Sequence, residues 1–142
     1  MFAAAHARNT SAQLCHTYMH VSVQGAAAAD RSGHELVQLL FEGLLGAIAR
    51  ARGALQRRDA AAKAQAIDRA LKIIGEGLRA GLNLRDGGRL ASDLNDLYAY
   101  VELRLTQANL RNDDAALLEC TQLLRPLLDA WTEIGPQVRQ RL

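Results

Sequence analysis

The chain reads as all-α: an antiparallel, up-down four-helix bundle with a flexible N-terminal arm. Three observations lead there. Ala and Leu dominate a composition that is 49% hydrophobic but only 4% aromatic, and both are strong helix formers. Apolar residues recur in steps of three and four, with no strict alternation long enough for a strand. Only two prolines, Pro126 and Pro136, interrupt the chain, so most of it is free to be helical. At 142 residues the length suits one domain with one core.

Residues 1–31 are poor in large apolar groups and rich in Ala, Ser, Gln and His. They read as a mobile arm with one sticky patch, Tyr18, Met19, Val21 and Val23. An arm with such a patch is expected to dock on its own domain. The bundle is expected over residues 32–135. Ser32-Gly33-His34-Glu35 fits a capping box that would start the first helix. Val37, Phe41, Leu44, Ile48, Ala51 and Leu55 then share one face, with Leu36, Leu40 and Ala47 as a second apolar row. Gly43 and Gly46 sit inside this helix, where small residues permit close approach of a neighbour.

Arg57-Arg58-Asp59 ends the first helix, since basic groups suit a helix C-terminus. The second carries Ile67, Leu71, Ile74, Leu78 and Leu82. A further row, Ala66, Ala70, Ile73, Gly77 and Leu84, exceeds what one core face needs. Asp86-Gly87-Gly88 marks a turn. The third helix carries Leu90, Leu94, Leu97, Val101, Leu105 and Ala108 on one face. Asn112-Asp113-Asp114 is a turn and a new helix start. The fourth carries Leu117, Cys120, Leu124, Leu128 and Trp131, and is expected to fray near Gly135-Pro136, leaving residues 136–142 as a loose basic tail. Connections this short place neighbouring helices antiparallel.

Charge and cysteine usage exclude several functions. The net charge is +2, too small to make the chain a polyanion binder on charge alone. Residues 1–85 hold 11 Lys/Arg against 6 Asp/Glu, and residues 86–142 hold 6 against 9. Arg50, Arg52, Arg57, Arg58 and Lys63 are basic but lack interleaved aromatics, so they read as a solvated face rather than a nucleic-acid site. Cys15 and Cys120 make no disulfide framework, and Cys120 reads as a small buried hydrophobe. No secretory signal is expected from the Ala- and His-rich start, and no apolar span approaches about 20 residues. The expectation is a reduced, cytoplasmic protein without membrane insertion.

No catalytic or metal chemistry emerges. Glu42, Glu76, Glu102 and Glu119 place one carboxylate on each helix. A di-iron bundle needs His three residues after Glu on two helices, and Leu45, Arg79, Leu105 and Gln122 stand there instead. These glutamates read as solvent-facing. His16 and His20 could share a metal on a helix, but further ligands are missing. No nucleophile elbow or phosphate loop is present, and His34 reads as a first-turn residue of the first helix. The chain is expected to be no enzyme and to hold no cofactor. What remains is apolar surface beyond the needs of the core, suited to amphipathic segments of a partner.

Several motifs in order resemble one family. They are Tyr18 followed by Val21-Ser22-Val23, Ser32-Gly33-His34-Glu35-Leu36, Leu40-Phe41-Glu42-Gly43, and Ala66-Ile67 through Ala70, Ile73-Ile74, Gly77-Leu78 and Leu82. They continue with Leu97-Tyr98-Ala99-Tyr100, Arg104-Leu105, Gln107 to Asp113, and Asp129-Ala130-Trp131. Together, over residues 18 to 134, they are similar to the flagellar secretion chaperones. Gly33 departs from the family's Pro at the first helical position, Asp93 from a common Asn, and the arm carries about one extra residue.

The resemblance implies a four-helix bundle chaperone domain over residues 32–135. It would bind the disordered C-terminal segment of flagellin in the cytosol, block premature polymerisation and deliver it to the export gate of the type III apparatus. An anti-sigma factor or other flagellar regulator would be a further partner, as for some relatives. The residues expected to contact flagellin are Ile73, Gly77, Leu94, Leu97, Tyr98 and Val101, with the arm at Tyr18, Val21 and Val23 over or beside them. Leu94, Leu97 and Val101 also fit the bundle core. The alternative is a self-associating structural bundle, in which the spare rows form a homodimer.

Overall fold

The computed structural model describes Tyr18 and residues 27–140, with the side chains of Tyr18 and residues 33–135. Four helices follow one another: α1 (Ala27–Gln56), α2 (Ala60–Lys72, continued by a π-helical segment Ile73–Arg79), α3 (Gly88–Arg111) and α4 (Asp114–Gln140). Each packs against two neighbours, closing the ring α1–α2–α3–α4–α1. This is the helical bundle that the periodicity predicts.

The connections are built from local chemistry. Arg58 takes a left-handed turn at φ 58°, and Asp59 Oδ1 then accepts from the Ala62 N–H at 3.1 Å, capping α2. Gly88 has φ 65°, a conformation open to glycine. At its neighbour Gly87 a Cβ would lie 2.4 Å from the Asn83 carbonyl oxygen. Asn112 closes α3 in the left-handed conformation, and Asp113 Oδ1 accepts from the Ala116 N–H at the start of α4.

The core holds Phe41, Leu44, Ile48, Ile67, Ile74, Leu78, Tyr98, Val101, Leu105, Leu117, Leu124 and Ile134. Cys120 is a free buried thiol within it, as its position on the apolar stripe predicts. Burial pushes that thiol up to about 11.

Three features differ from the sequence expectations. Ser32 and Glu35 do not start α1, which is already helical from Ala27. The Ala26–Ala29 run has enough helix propensity to extend it upstream. At the other end α4 passes through Gly135-Pro136 to Gln140 without breaking. Gly135 is packed beneath His34, where a Cβ would lie 2.9 Å from the ring. Finally, α2 widens into π-helix at Ile73–Arg79. Ala66, Ala70, Ile74, Leu78 and Leu82 are all buried, in successive steps of four. Each such step overshoots a 3.6-residue turn by about 40°. A stretch of i→i+5 turns reduces that drift and keeps the row on the core.

Charged side chains lock the ring from outside. Arg52 bonds Asp114 through both carboxylate oxygens, at 2.8 and 3.1 Å. Arg79 reaches Glu102, and Arg104 reaches Glu119 at 2.6 Å. Glu102 and Glu119 are therefore not the solvent-facing carboxylates that their positions suggest. The Arg52 guanidinium holds the Asp114 carboxyl below its ordinary value. Arg104 does the same for Glu119, with help from the Tyr100 hydroxyl.

Candidate functional site: an apolar furrow and the seat of the arm

α1 and α2 leave a furrow between them, and glycines shape it. Gly43 faces Ile73, whose Cδ1 would lie 3.4 Å from an added Cβ. Gly77 faces Leu40, and there an added Cβ would meet Cδ2 at 2.9 Å. The helices therefore approach closely, and Leu40, Ile73 and Gly77 floor an opening of about 440 Å³. Its rim is polar: Gln65, Asp68, Arg69, Lys72 and Glu76. Leu36 and Leu39 stand one turn before Leu40 and Gly43 on the same helix. They are 53% and 63% exposed. One side of the furrow is thus the π-helical stretch, a geometry frequent at functional sites.

A second feature lies deeper in the bundle. Tyr18, the one described residue before Ala27, is only 5% exposed. Its hydroxyl lies 2.7 Å from the Tyr98 hydroxyl and donates to the Leu78 carbonyl at 3.2 Å. Its ring meets Trp131 edge-on, with centroids 5.5 Å apart. Trp131 in turn stacks on His34, at 4.7 Å and 10°. Burial raises both the Tyr18 and the Tyr98 phenol well above their ordinary value, so the pair is neutral.

The expected contact residues divide into three groups. Ile73 and Gly77 line the furrow. Tyr18 and Tyr98 meet in the arm's seat, with Leu97 half-buried nearby on α3. Leu94 and Val101 are enclosed in the core at 3% and 0% exposure, the alternative that their spacing left open. They face the other helices, so packing already occupies the surface that a partner would need. Val21 and Val23 lie outside the described residues.

Sequence reasoning placed Leu36 and Leu40 in a surplus row but did not name Leu40, half-buried in the furrow lining, or the exposed Leu36 and Leu39 as contact residues. It also missed His34, which is buried with Trp131 rather than sitting in a first turn. Lys63, read as part of a solvated face, is 7% exposed. Its ammonium donates to the Asn109 carbonyl at 2.9 Å and to the Asn112 side chain, tying α2 to the end of α3. Spacing alone could not reveal these, because each depends on a residue from another helix.

Among the described residues no group of three His, Cys, Asp or Glu is placed to hold a metal. No described helix is long and apolar enough to cross a membrane.

Comparison with known proteins agrees with the motif pattern. The family model described as flagellar protein FliS matches residues 15–138. A flagellar secretion chaperone FliS of Salmonella typhimurium is 43% identical over 120 residues, covering 84% of this chain and 88% of the relative. The flagellar secretion chaperone FliSB of Pseudomonas aeruginosa is 41% identical, covering 83% and 92%. A Bacillus subtilis relative of the same name is 30% identical over 99 residues, covering 70% and 72%. With the match spanning most of the sequence and four packed helices to carry it, the chain belongs to the FliS family of flagellar proteins.

Proposed function

We propose that this protein is a cytoplasmic flagellar secretion chaperone that grips the C-terminal segment of flagellin. It holds that segment unpolymerised and delivers it to the export gate of the type III apparatus. The observation that carries the reading is the furrow itself. Leu40, Ile73 and Gly77 line it, and Leu36 and Leu39 stand exposed one turn earlier on α1. An apolar surface of this kind suits an amphipathic client segment.

The physical logic is one of covering. A segment that assembles into a filament carries an apolar stripe, and occupying that stripe removes its self-assembly surface. Ordering a disordered segment costs about 2–5 kcal/mol or more of the gross interaction, which broad apolar burial offsets. Release needs no bond to be broken, so no catalytic group or cofactor enters the scheme. Tyr18, with Val21 and Val23 beyond it, is assigned to the margin of the client surface. Where the client displaces the Tyr18 ring, Tyr98 and Leu97 join that surface, while Leu94 and Val101 support it from beneath. A flagellar regulator such as an anti-sigma factor would compete for the same apolar face.

Calorimetric titration with a flagellin C-terminal peptide tests this. Ile73→Asp and Leu40→Asp are expected to weaken binding at least about tenfold in folded protein, since each puts a charge on the apolar floor. Unchanged affinity in both variants would move the client elsewhere. A second reading, a homodimer, draws on Leu103 and Leu110, which are 54% and 78% exposed on α3. Light scattering that finds a dimer indifferent to the peptide would favour it.

A further inference from the structure

The furrow between α1 and α2 does not end at Gln65. Gln65 and Arg69 also line a second opening of about 500 Å³, further along the same pair of helices. Its floor is small side chains and backbone: Ala49, Gly53, Ala62 and Ala66. The two openings are therefore neighbours along one crevice between α1 and α2, with Gln65 and Arg69 shared between them.

The charge changes along it. At the Leu40 end, Asp68 and Lys72 pair with each other at 3.3 Å, and Glu76 adds a carboxylate to the rim. At the far end Arg50, Arg57 and Arg69 line the crevice with no carboxylate among the lining residues. None of the three has an ion-pair partner among the described residues. Arg52, Arg79 and Arg104, by contrast, are all used to pair helices. Arg57 lies back over Gly53, where an added Cβ would come 3.2 Å from Nη1. Arg50 lies likewise over Gly46, at 3.8 Å. The glycines let both guanidiniums rest low on the helix beside the opening.

The chain's own ends do not suit this surface. Residues 1–31 carry Arg8 and Arg31 against Asp30, and residues 136–142 carry Arg139 and Arg141 with no acid. No aromatic ring lines the crevice, so it offers no stacking platform for single-stranded nucleic acid. Three unpaired guanidiniums over a shallow floor of small residues fit an acidic polypeptide.

We propose that the arginine-rimmed half of the crevice seats an acidic stretch of the client polypeptide, whose adjoining apolar side chains enter the Leu40–Ile73–Gly77 half. This rests on the client-binding reading above. From Leu40 to Arg57 the crevice follows α1 for about 25 Å. That is the length of a helix of about 17 residues, or of about 8 extended residues. The client is held in one direction, because its charge and its apolar groups meet different ends.

The test uses the full chain and a fluorescently labelled flagellin C-terminal peptide. A second peptide has every Asp and Glu replaced by Asn and Gln. The protein variant carries Arg50→Gln, Arg57→Gln and Arg69→Gln. All three side chains are exposed and unpaired, so circular dichroism is expected to show the wild-type fold. The natural peptide should lose about five- to tenfold in affinity on the variant, the sum of three surface pairs. It should lose a similar factor in high salt. The neutralised peptide should bind wild type and variant alike, and more weakly than the natural one. Equal binding of the natural peptide to wild type and variant overturns the inference and leaves the client reading standing. Failure of both peptides to bind wild type removes the client reading and this inference with it. A single-stranded DNA that displaces the peptide, or a variant that changes oligomeric state in light scattering, assigns the arginines to another occupant and equally overturns it.

Discussion

Trp131 and His34 hold each other by two reciprocal hydrogen bonds. The indole N–H donates to the His34 carbonyl at 3.0 Å, and the His34 Nε2–H donates to the Trp131 carbonyl at 2.9 Å. A carbonyl only accepts, so Nε2 carries the hydrogen. The pair ties the beginning of α1 to the end of α4 and forms one wall of the arm's seat.

Removing the indole donor leaves the His34 carbonyl to the hydrogen bonding of its own helix. Trp131→Phe is therefore expected to cost about 0.5–1.5 kcal/mol, the net worth of one hydrogen bond. Urea unfolding followed by circular dichroism measures it. A variant as stable as wild type would show that the indole N–H bond contributes nothing net.

Lys63 is the counterpart at the other end of the bundle. Its ammonium satisfies the Asn109 carbonyl and the Asn112 side chain where α3 turns into α4. Lys63→Met keeps the apolar stem and removes the donors, and is expected to cost about 1–3 kcal/mol. Lys72→Met removes only an exposed i, i+4 pair with Asp68 and should change stability by less than about 0.5 kcal/mol. Equal effects in the two variants would deny Lys63 its bridging role.

Two glycines of the π-helical segment separate stability from binding. A Cβ at Gly75 meets nothing within 4 Å, so Gly75→Ala is expected to stabilise by about 0.4–1 kcal/mol through the unfolded chain. A Cβ at Gly77 would push Leu40, the far end of a half-exposed side chain. That side chain can shift, so Gly77→Ala should keep the fold while reshaping the furrow floor. The expected outcome is weaker client binding for Gly77→Ala and unchanged binding for Gly75→Ala, measured by calorimetry. Identical affinities would place the client away from Gly77.

How much of this was legible beforehand follows from what each feature depends on. The helix order and the core depend on repeat spacing, which a single sequence displays: Phe41, Leu44, Ile48, Ile67 and Leu105 are buried where the period puts them. The surplus row on α2 was also visible. Its division was not, because Ala66 and Ala70 enter the core while Ile73 and Gly77 line the furrow. That division depends on the π-helical widening at Ile73–Arg79, which fits the steps of four but is not the one way a helix can accommodate them. The Tyr18–Tyr98 contact spans 80 positions and His34–Trp131 spans 97. Pairings at such separations arise only once the bundle has closed. Charge runs misled for the same reason: Lys63 and Arg52 sit among exposed arginines in sequence but find partners on α3 and α4.

The Tyr18–Tyr98 pair makes the arm's seat sensitive to high pH. Burial raises both phenols above the ordinary value of 10.0. An acid whose folded pKa is raised contributes stability that is fully present below its unfolded value and lost as pH rises beyond it. The seat should therefore hold at neutral pH and loosen progressively above about pH 10. Tyr100 is exposed on the same helix, bonded to Glu119, and is expected to ionise before either buried phenol. Absorbance at a phenolate wavelength, recorded together with circular dichroism, checks this. Tyr100 should ionise while the helices persist, and the other two only as ellipticity falls. In Tyr18→Phe only Tyr98 should remain coupled to unfolding, and that variant should be less stable than wild type by about 1 kcal/mol at neutral pH. Three phenols that ionise together near pH 10 in an intact bundle would mean that Tyr18 does not occupy this seat in solution.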